Sequence, residues 1–412
     1  SPQFLDFSAN GDASPFAGMF LTLDRVFPAG ATERDLLTIY RPRPSLPFTL
    51  MTLANGEKRI LWTTFTSEQL DLDVEHPEGR AYLTRILETF AASGVTTIRL
   101  DAAGYAIKRA GTRSFMLPET YGFIAELATE ARRHGIETLV EIHSHYEQQV
   151  EIATQVDRVY DFALPPLVLH ALYQADAAPL KRWLTISPRN AVTVLDTHDG
   201  IGVIDVGAEW VEGEMRPGLL DPAAIDALVE EIHRRSGGES RQATGEAASN
   251  LDLYQVNCTY YDALGRDDAA YLLARAIQFF APGIPQVYYV GLLGGTNDLE
   301  LLRRSGVGRD INRHYYTIEE IGAAIQRPMV ERLFALIRWR NAHPAFGGVL
   351  EIAGAGDHEL TLTWRNHQHW ATLAVDLRVR SGLIRASTAE GSLTEFEVAP
   401  ETATLAGARE SR

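Results

Sequence analysis

The sequence predicts an α/β fold of barrel type, with parallel strands alternating with helices and a small antiparallel β domain behind them. Three observations predict it. From Glu78 to His343 helical and extended apolar segments alternate; beyond Pro344 the apolar period falls to two; and three of the extended segments end in an acid. Those three are residues 97–101, ending at Asp101, residues 138–143, containing Glu141, and residues 192–199, ending at Asp199. A carboxylate beside an apolar run is costly unless charge or hydrogen bonds compensate it. In a barrel of parallel strands the active site collects at the carboxyl ends of the strands. Asp101, Glu141 and Asp199 therefore read as one constellation, against the plainer role of capping the helix that follows each strand.

The elements follow in order. Residues 1–75 are rich in Pro, Gly and aromatics, with short extended pieces such as 59–65, and read as a loop-rich inserted subdomain. Residues 80–93 carry Leu83, Ile86, Leu87 and Phe90 at helical spacing and stop at Gly94. The strand to Asp101 comes next, then a helix over 118–134 closed by Gly135, then the strand to His143. A short helix over 148–155 precedes a strand over 158–164; helical stretches at 165–173 and around Trp183 lead to a strand over 191–198. From 201 to 265 the rhythm breaks into acidic, Gly-containing sequence with one clear helix, 222–235, a second insertion. Alternation resumes with a helix over 267–280, a strand over 284–290 and a helix over 329–343. Strands at 359–364, 370–375 and 393–398 then build the C-terminal β domain, ahead of a tail after Pro400 that reads as frayed. The predicted organisation is 1–75 inserted, 76–200 barrel, 201–265 inserted, 266–345 barrel and 346–412 β domain.

Composition excludes several classes. With 45% hydrophobic and 22% charged residues over 412 positions the chain is an ordinary globular protein of more than one small core. No stretch approaches the roughly 18 apolar residues of a membrane helix. A net charge of −16 opposes binding along a nucleic acid, and requires a local arginine cluster for any anionic substrate. Cys258 is the single cysteine, so no internal disulfide forms, and a reducing, cytoplasmic compartment is expected.

The acids suit glycosidic cleavage, in which one carboxylate is the nucleophile and another the general acid and then base. Arg99 lies two residues before Asp101, on the same strand face, where it can hold that acid ionised. Glu141 is expected in drier surroundings, as a proton donor, and Asp199 as a third acid stabilising positive charge on the sugar ring. His143 and His198 can donate to sugar hydroxyls. Tyr105, Tyr146, Tyr254 and the pair Tyr288 and Tyr289 are available for stacking on a sugar. No common zinc spacing, no Gly-x-Ser-x-Gly turn and no P-loop is present, so no metal or cofactor is expected.

Longer motifs narrow the reading. Arg99-Leu-Asp101-Ala-Ala-Gly-Tyr105, Glu141-Ile-His143-Ser and His198-Asp199 resemble the conserved blocks of the α-amylase superfamily. Residues 40–48, 159–166, 195–205, 250–257 and 308–316 make the chain similar, over nearly its whole length, to the sucrose phosphorylases. The resemblance implies a (β/α)8-type TIM barrel and the roles of its residues. Asp101 would attack the anomeric carbon of sucrose, Glu141 would protonate the departing fructose, and Asp199 would stabilise the transition state and, with His198, bind glucosyl hydroxyls. Arg99, Tyr105 and Arg309 match donor-site contacts. Phosphate, as co-substrate, would then release α-glucose 1-phosphate. Arg43, in the 41–43 loop, with Tyr254 and His143 would form the phosphate-binding wall, and Asp252 and Gln255 would engage fructose when the loops exchange. Family members are often homodimers, an assembly open to this chain.

The same resemblance implies that only strands 4–8 of the barrel stand in this sequence, since in the family three strands precede the inserted subdomain. Rival readings are a phosphorylase for sucrose 6′-phosphate or glucosylglycerate, an α-glucoside hydrolase, and a non-catalytic barrel remnant. A sheet lacking three barrel strands leaves open edges. The chain alone is therefore expected to be unstable or poorly active. Expression followed by denaturant unfolding and turnover measurements checks this, a stable and fully active product being the contrary result.

Overall fold

The computed structural model describes residues 1–41, 45–211, 214–243, 255–387 and 393–399. They fall into two compact units: the described residues of Ser1–Ile142 and Glu151–Tyr160 form the first, and those of His143–Val150, Asp161–Gly245 and Gln255–Arg412 the second.

The first unit opens with a helix, Pro2–Asn10, capped by the Ser1 hydroxyl and started by a proline whose missing N–H costs nothing there. Strands β1 (Phe48–Thr52) and β2 (Lys58–Trp62) form an antiparallel hairpin. Under it lie Phe7, Met19, Phe20, Leu53 and Leu61, and beside them Leu21, Phe27, Ile39 and Trp62. The parallel part follows as the helix Pro77–Ala92, β3 (Thr97–Leu100), the helix Pro118–Arg133, β4 (Glu137–Val140) and β5 (Arg158–Asp161). Both helices end where the sequence places a glycine. Gly94 and Gly135 take φ of +77° and +75°, and Val95 and Ile136 then donate back to Phe90 and Ala131, each at 3.0 Å. β4 lies parallel between β3 and β5, with Leu100 opposite Val140.

Two predicted strands prove shorter at the functional end. β3 and β4 stop one residue before Asp101 and Glu141; after β3, Ala102 takes a left-handed φ of +51° and turns the chain off the sheet.

The second unit carries β6 (Ala191–Thr193), short strands β7 (Ile201–Gly202), β8 (Glu209–Val211), β9 (Glu214–Arg216) and β10 (Gln255–Val256), and β11 (Ile284–Pro285), which pairs parallel with β6. Three boundaries differ from expectation. The strand predicted to Leu164 ends at Asp161, whose carboxylate accepts from Leu164 N at 2.9 Å and starts the helix Leu164–Gln174. The strand predicted over 191–198 stops at Thr193, ahead of the buried Asp196. The strand predicted over 284–290 also stops early: Gln278 Nε2 takes up the carbonyls of Thr193 and Gln286, each at 2.9 Å, and Tyr289–Leu292 turns helical.

Five strands, β12 (Val349–Ala353), β13 (Glu359–Asn366), β14 (His369–Asp376), β15 (Ser381–Ser387) and β16 (Leu393–Ala399), form an antiparallel meander in chain order. Three of these were predicted. The sheet joins the rest of its unit partly through Trp364, whose indole donates to Phe280 O at 2.8 Å. Among the described residues no helix is long and apolar enough to cross a membrane.

β4 is pinned at its start by Asp157, which accepts from Thr138 N at 2.9 Å, Thr138 Oγ1 at 3.0 Å and Arg132 Nε at 2.6 Å. Burial works to raise its pKa, but Arg132 and Thr138 outweigh it and hold the carboxyl below the ordinary value. A lowered carboxyl stabilises the fold above the unfolded-state pKa and ceases to as pH falls through the folded one. Asp157→Asn should therefore cost about 1–2 kcal/mol at neutral pH. In urea titrations that difference should shrink below about pH 4.

Candidate active site

In the first unit the parallel register decides what meets. Leu100 and Val140 are partners, so the next residues, Asp101 and Glu141, emerge from neighbouring strand ends. One guanidinium nitrogen, Arg99 Nη2, lies 2.9 Å from Asp101 Oδ1 and 2.5 Å from Glu141 Oε1. Burial acts to lower the pKa of Arg99, yet Glu141 and then Asp101 outweigh it, so the guanidinium is held charged. The two acids differ sharply in exposure: the Asp101 side chain is 69% exposed and that of Glu141 only 11%. Glu141 Oε2 also accepts from Ala102 N at 3.3 Å. Arg99, placed by sequence beside Asp101, thus lies closer to Glu141.

Tyr105 closes the 3₁₀ turn Ala103–Tyr105 that follows, packed against Phe65, Phe115 and Tyr40 with ring centroids 5.3, 4.6 and 5.9 Å away. Lys108, 1% exposed, holds the turn from below. It pairs with Asp71 at 2.8 Å and donates to Thr64 Oγ1 and the Tyr105 carbonyl. Sequence reading did not single it out.

In the second unit Asp199 is flanked by cations. It pairs with Arg309, and Arg313 Nη2 and His198 Nε2 lie 3.4 and 3.8 Å from its Oδ1. Burial pushes its pKa up; Arg309 chiefly, then His198 and His143, more than reverse that and hold it below the ordinary carboxylate value. Arg313 also donates to His198 O at 2.7 Å, while Asn312 Nδ2 donates to Thr197 O and Asp199 O at 3.1 and 3.0 Å. Arg313 and Asn312 lay inside a quoted motif without being chosen. Gln255 accepts from Gly200 N at 3.2 Å, bracing the turn after Asp199. His143 stacks on Phe162 and bonds to the buried Asp205, a further residue the sequence reading missed. Arg43, Asp252 and Tyr254 lie outside the described residues.

Beneath this loop Asp196 meets Arg275, whose side chain is fully buried, at 2.7 Å. Gly291 leaves room for the pair, since a Cβ there would stand 1.8 Å from Asp196 Oδ2.

No family model matches the chain. Its fold is shared with the α-amylase of H. orenii, at a TM-score of 0.57 and 16% identity, covering 94% of this chain and 70% of that one. That likeness gives the fold class, that of the (β/α)8-barrel proteins of α-amylase type with a C-terminal β domain. The chain is 62% identical over 387 residues to a sucrose phosphorylase of Agrobacterium vitis, covering 94% of this chain and 79% of that protein. It is 51% identical over 397 residues to a sucrose phosphorylase of Bifidobacterium adolescentis, covering 96% and 78%. A solved sucrose 6F-phosphate phosphorylase from Thermoanaerobacter thermosaccharolyticum superposes with a TM-score of 0.87 at 38% identity, covering 96% and 80%. The chain belongs to the sucrose phosphorylase family.

Arg99→Lys keeps the charge but loses the reach and fixed planar orientation of the guanidinium that set Nη2 between the two carboxylates. Its kcat/KM should fall about 10²- to 10³-fold, with far-UV circular dichroism unchanged.

Proposed function

We propose that the chain carries out the reversible phosphorolysis of sucrose, giving α-D-glucose 1-phosphate and D-fructose with retention at the anomeric carbon. The observation that carries this reading is the shared arginine nitrogen. Two carboxylate oxygens at those distances from one nitrogen lie no farther apart than roughly 5.5 Å, the separation a covalent double displacement needs.

In the first step Asp101, the exposed acid, bonds to the anomeric carbon as the bond to fructose breaks. Glu141, the drier acid, passes its proton to the fructosyl oxygen, which asks it to loosen from Arg99. In the second step phosphate attacks the glucosyl ester, Glu141 takes the proton of the attacking oxygen, and Asp101 leaves as carboxylate. Asp199, kept ionised by Arg309, faces the positive charge that builds on the ring in both steps. Tyr105 supplies a sugar-stacking face and His198 a hydroxyl contact. Arg43, His143 and Tyr254 meet phosphate, and Asp252 and Gln255 meet fructose. No cofactor enters; phosphate is the co-substrate.

The parallel strands β3, β4, β5, β6 and β11 belong in the same reading as the fourth to eighth of the family's barrel. Cytoplasmic action and a homodimer complete it. The decisive measurement feeds sucrose with and without phosphate and separates the products. Glucose 1-phosphate with phosphate, and little free glucose, is expected; free glucose at equal rate in both cases would make the chain a hydrolase. Turnover of sucrose 6′-phosphate or glucosylglycerate in preference to sucrose would reassign the acceptor.

A further inference from the structure

Asp205 takes no part in the scheme above, yet its side chain has no exposed surface and it touches a residue that does. It stands in the 3₁₀ turn Ile204–Val206. Its Oδ1 accepts from Gln149 Nε2 at 2.9 Å and Ser144 N at 3.2 Å, and its Oδ2 lies 3.2 Å from His143 Nδ1. Gly202 closes the cradle, since a Cβ there would lie 2.5 Å from Oδ2. The His143 ring lies nearly flat on Phe162, centroids 3.8 Å apart and planes 17° from parallel, so it is held in this orientation. A carboxylate can only accept, so the hydrogen of this bond sits on His143 Nδ1.

We propose that Asp205 is a positioning residue that makes His143 a cationic phosphate ligand. With one proton fixed on Nδ1, Nε2 donates to phosphate only when the ring takes up a second. The proposal rests on the reading that His143 meets phosphate. Among the described residues of its unit, Asp205 bears on His143 and Asp199 feels its charge; Glu141 stands two residues earlier in the chain. Asp161, fully buried and raised to about 7 by that burial, bears on Asp205. A buried carboxylate on Nδ1 favours the doubly protonated ring, so phosphate affinity is expected to fall as rising pH removes the second proton.

Asp205→Asn is nearly isosteric. Its amide oxygen keeps the Ser144 and Gln149 donors, and its NH2 faces Nδ1, which must then accept. The proton moves to Nε2, where a neutral ring donates at every pH. The test is KM for phosphate against pH in sucrose phosphorolysis, corrected for the ionisation of phosphate itself, with KM for sucrose in parallel. In the unaltered chain KM for phosphate should climb toward a limiting slope of about tenfold per pH unit. In Asp205→Asn it should be several-fold higher at low pH and flat on that limb, with KM for sucrose within about twofold. Parallel profiles for the two proteins overturn the proposal. His143→Gln separates the layers: an unchanged KM for phosphate there defeats the reading of His143 itself. A raised KM there, with an unaltered profile in Asp205→Asn, defeats only the role of Asp205. Should Asp205→Asn not fold, the proton spectrum of the unaltered chain decides. A far-downfield Nδ1 resonance, lost in His143→Gln, supports the bond, and its absence overturns it.

Discussion

A single guanidinium between two acids is the constraint on which the first unit's chemistry depends. The parallel register of β3 and β4 brings Asp101 and Glu141 out side by side, and like charges 4 Å apart repel by about 1 kcal/mol in water and about 4 kcal/mol near a protein surface. Arg99, projecting from β3 itself, converts that repulsion into two attractions through one nitrogen. The left-handed turn at Ala102 then leaves Asp101 open while the Ala102 N–H reaches back to Glu141. Two acids that differ sharply in exposure thus leave neighbouring strand ends side by side.

The second unit solves the same problem with other arginines. Asp199 meets Arg309 and Arg313, and Asp196, three residues earlier, meets Arg275 below them. In the lower pair Arg275 is fully buried and Asp196 nearly so, and breaking a buried pair is costly even where the intact pair adds little stability. Tyr271 OH accepts from Nε and Nη2 of Arg275, and Gln278 Oε1 from its Nη1. In a chain of net charge −16, arginines are spent where acids crowd together, which leaves a negative surface around locally balanced sites.

Much of this was legible in the sequence where a local rule was strong. Helix ends at Gly94 and Gly135, the acids Asp101 and Glu141 directly after β3 and β4, and the period-two segments after Pro344 were all readable, whereas Asp199 lies six residues beyond the end of β6. β12 and β15 were missed: β12 has exposed residues on one face of an edge strand, and Gly382 and Ser381 weaken the pattern of β15. Strand lengths were overestimated at Asp161, Thr193 and Pro285, because apolar sequence continues past the point where buried side chains claim the backbone. Lys108 carried no local signal, and Asp205, Asn312 and Arg313 lay inside the motifs 195–205 and 308–316 with nothing local to single them out. Each is defined by a partner far along the chain, as Asp205 is by His143, 62 residues away.

The sequence by itself determined the alternation of helices and strands, the family, and that Asp101 and Glu141 follow strands, with Glu141 the drier, since period, capping and motif are properties of neighbouring residues. Only the tertiary structure decided how far the two acids differ in exposure, that Arg99 serves both, and that a buried carboxylate holds the Nδ1 of His143. Burial and shared hydrogen bonds depend on what packs from elsewhere in the chain, and no local pattern encodes that.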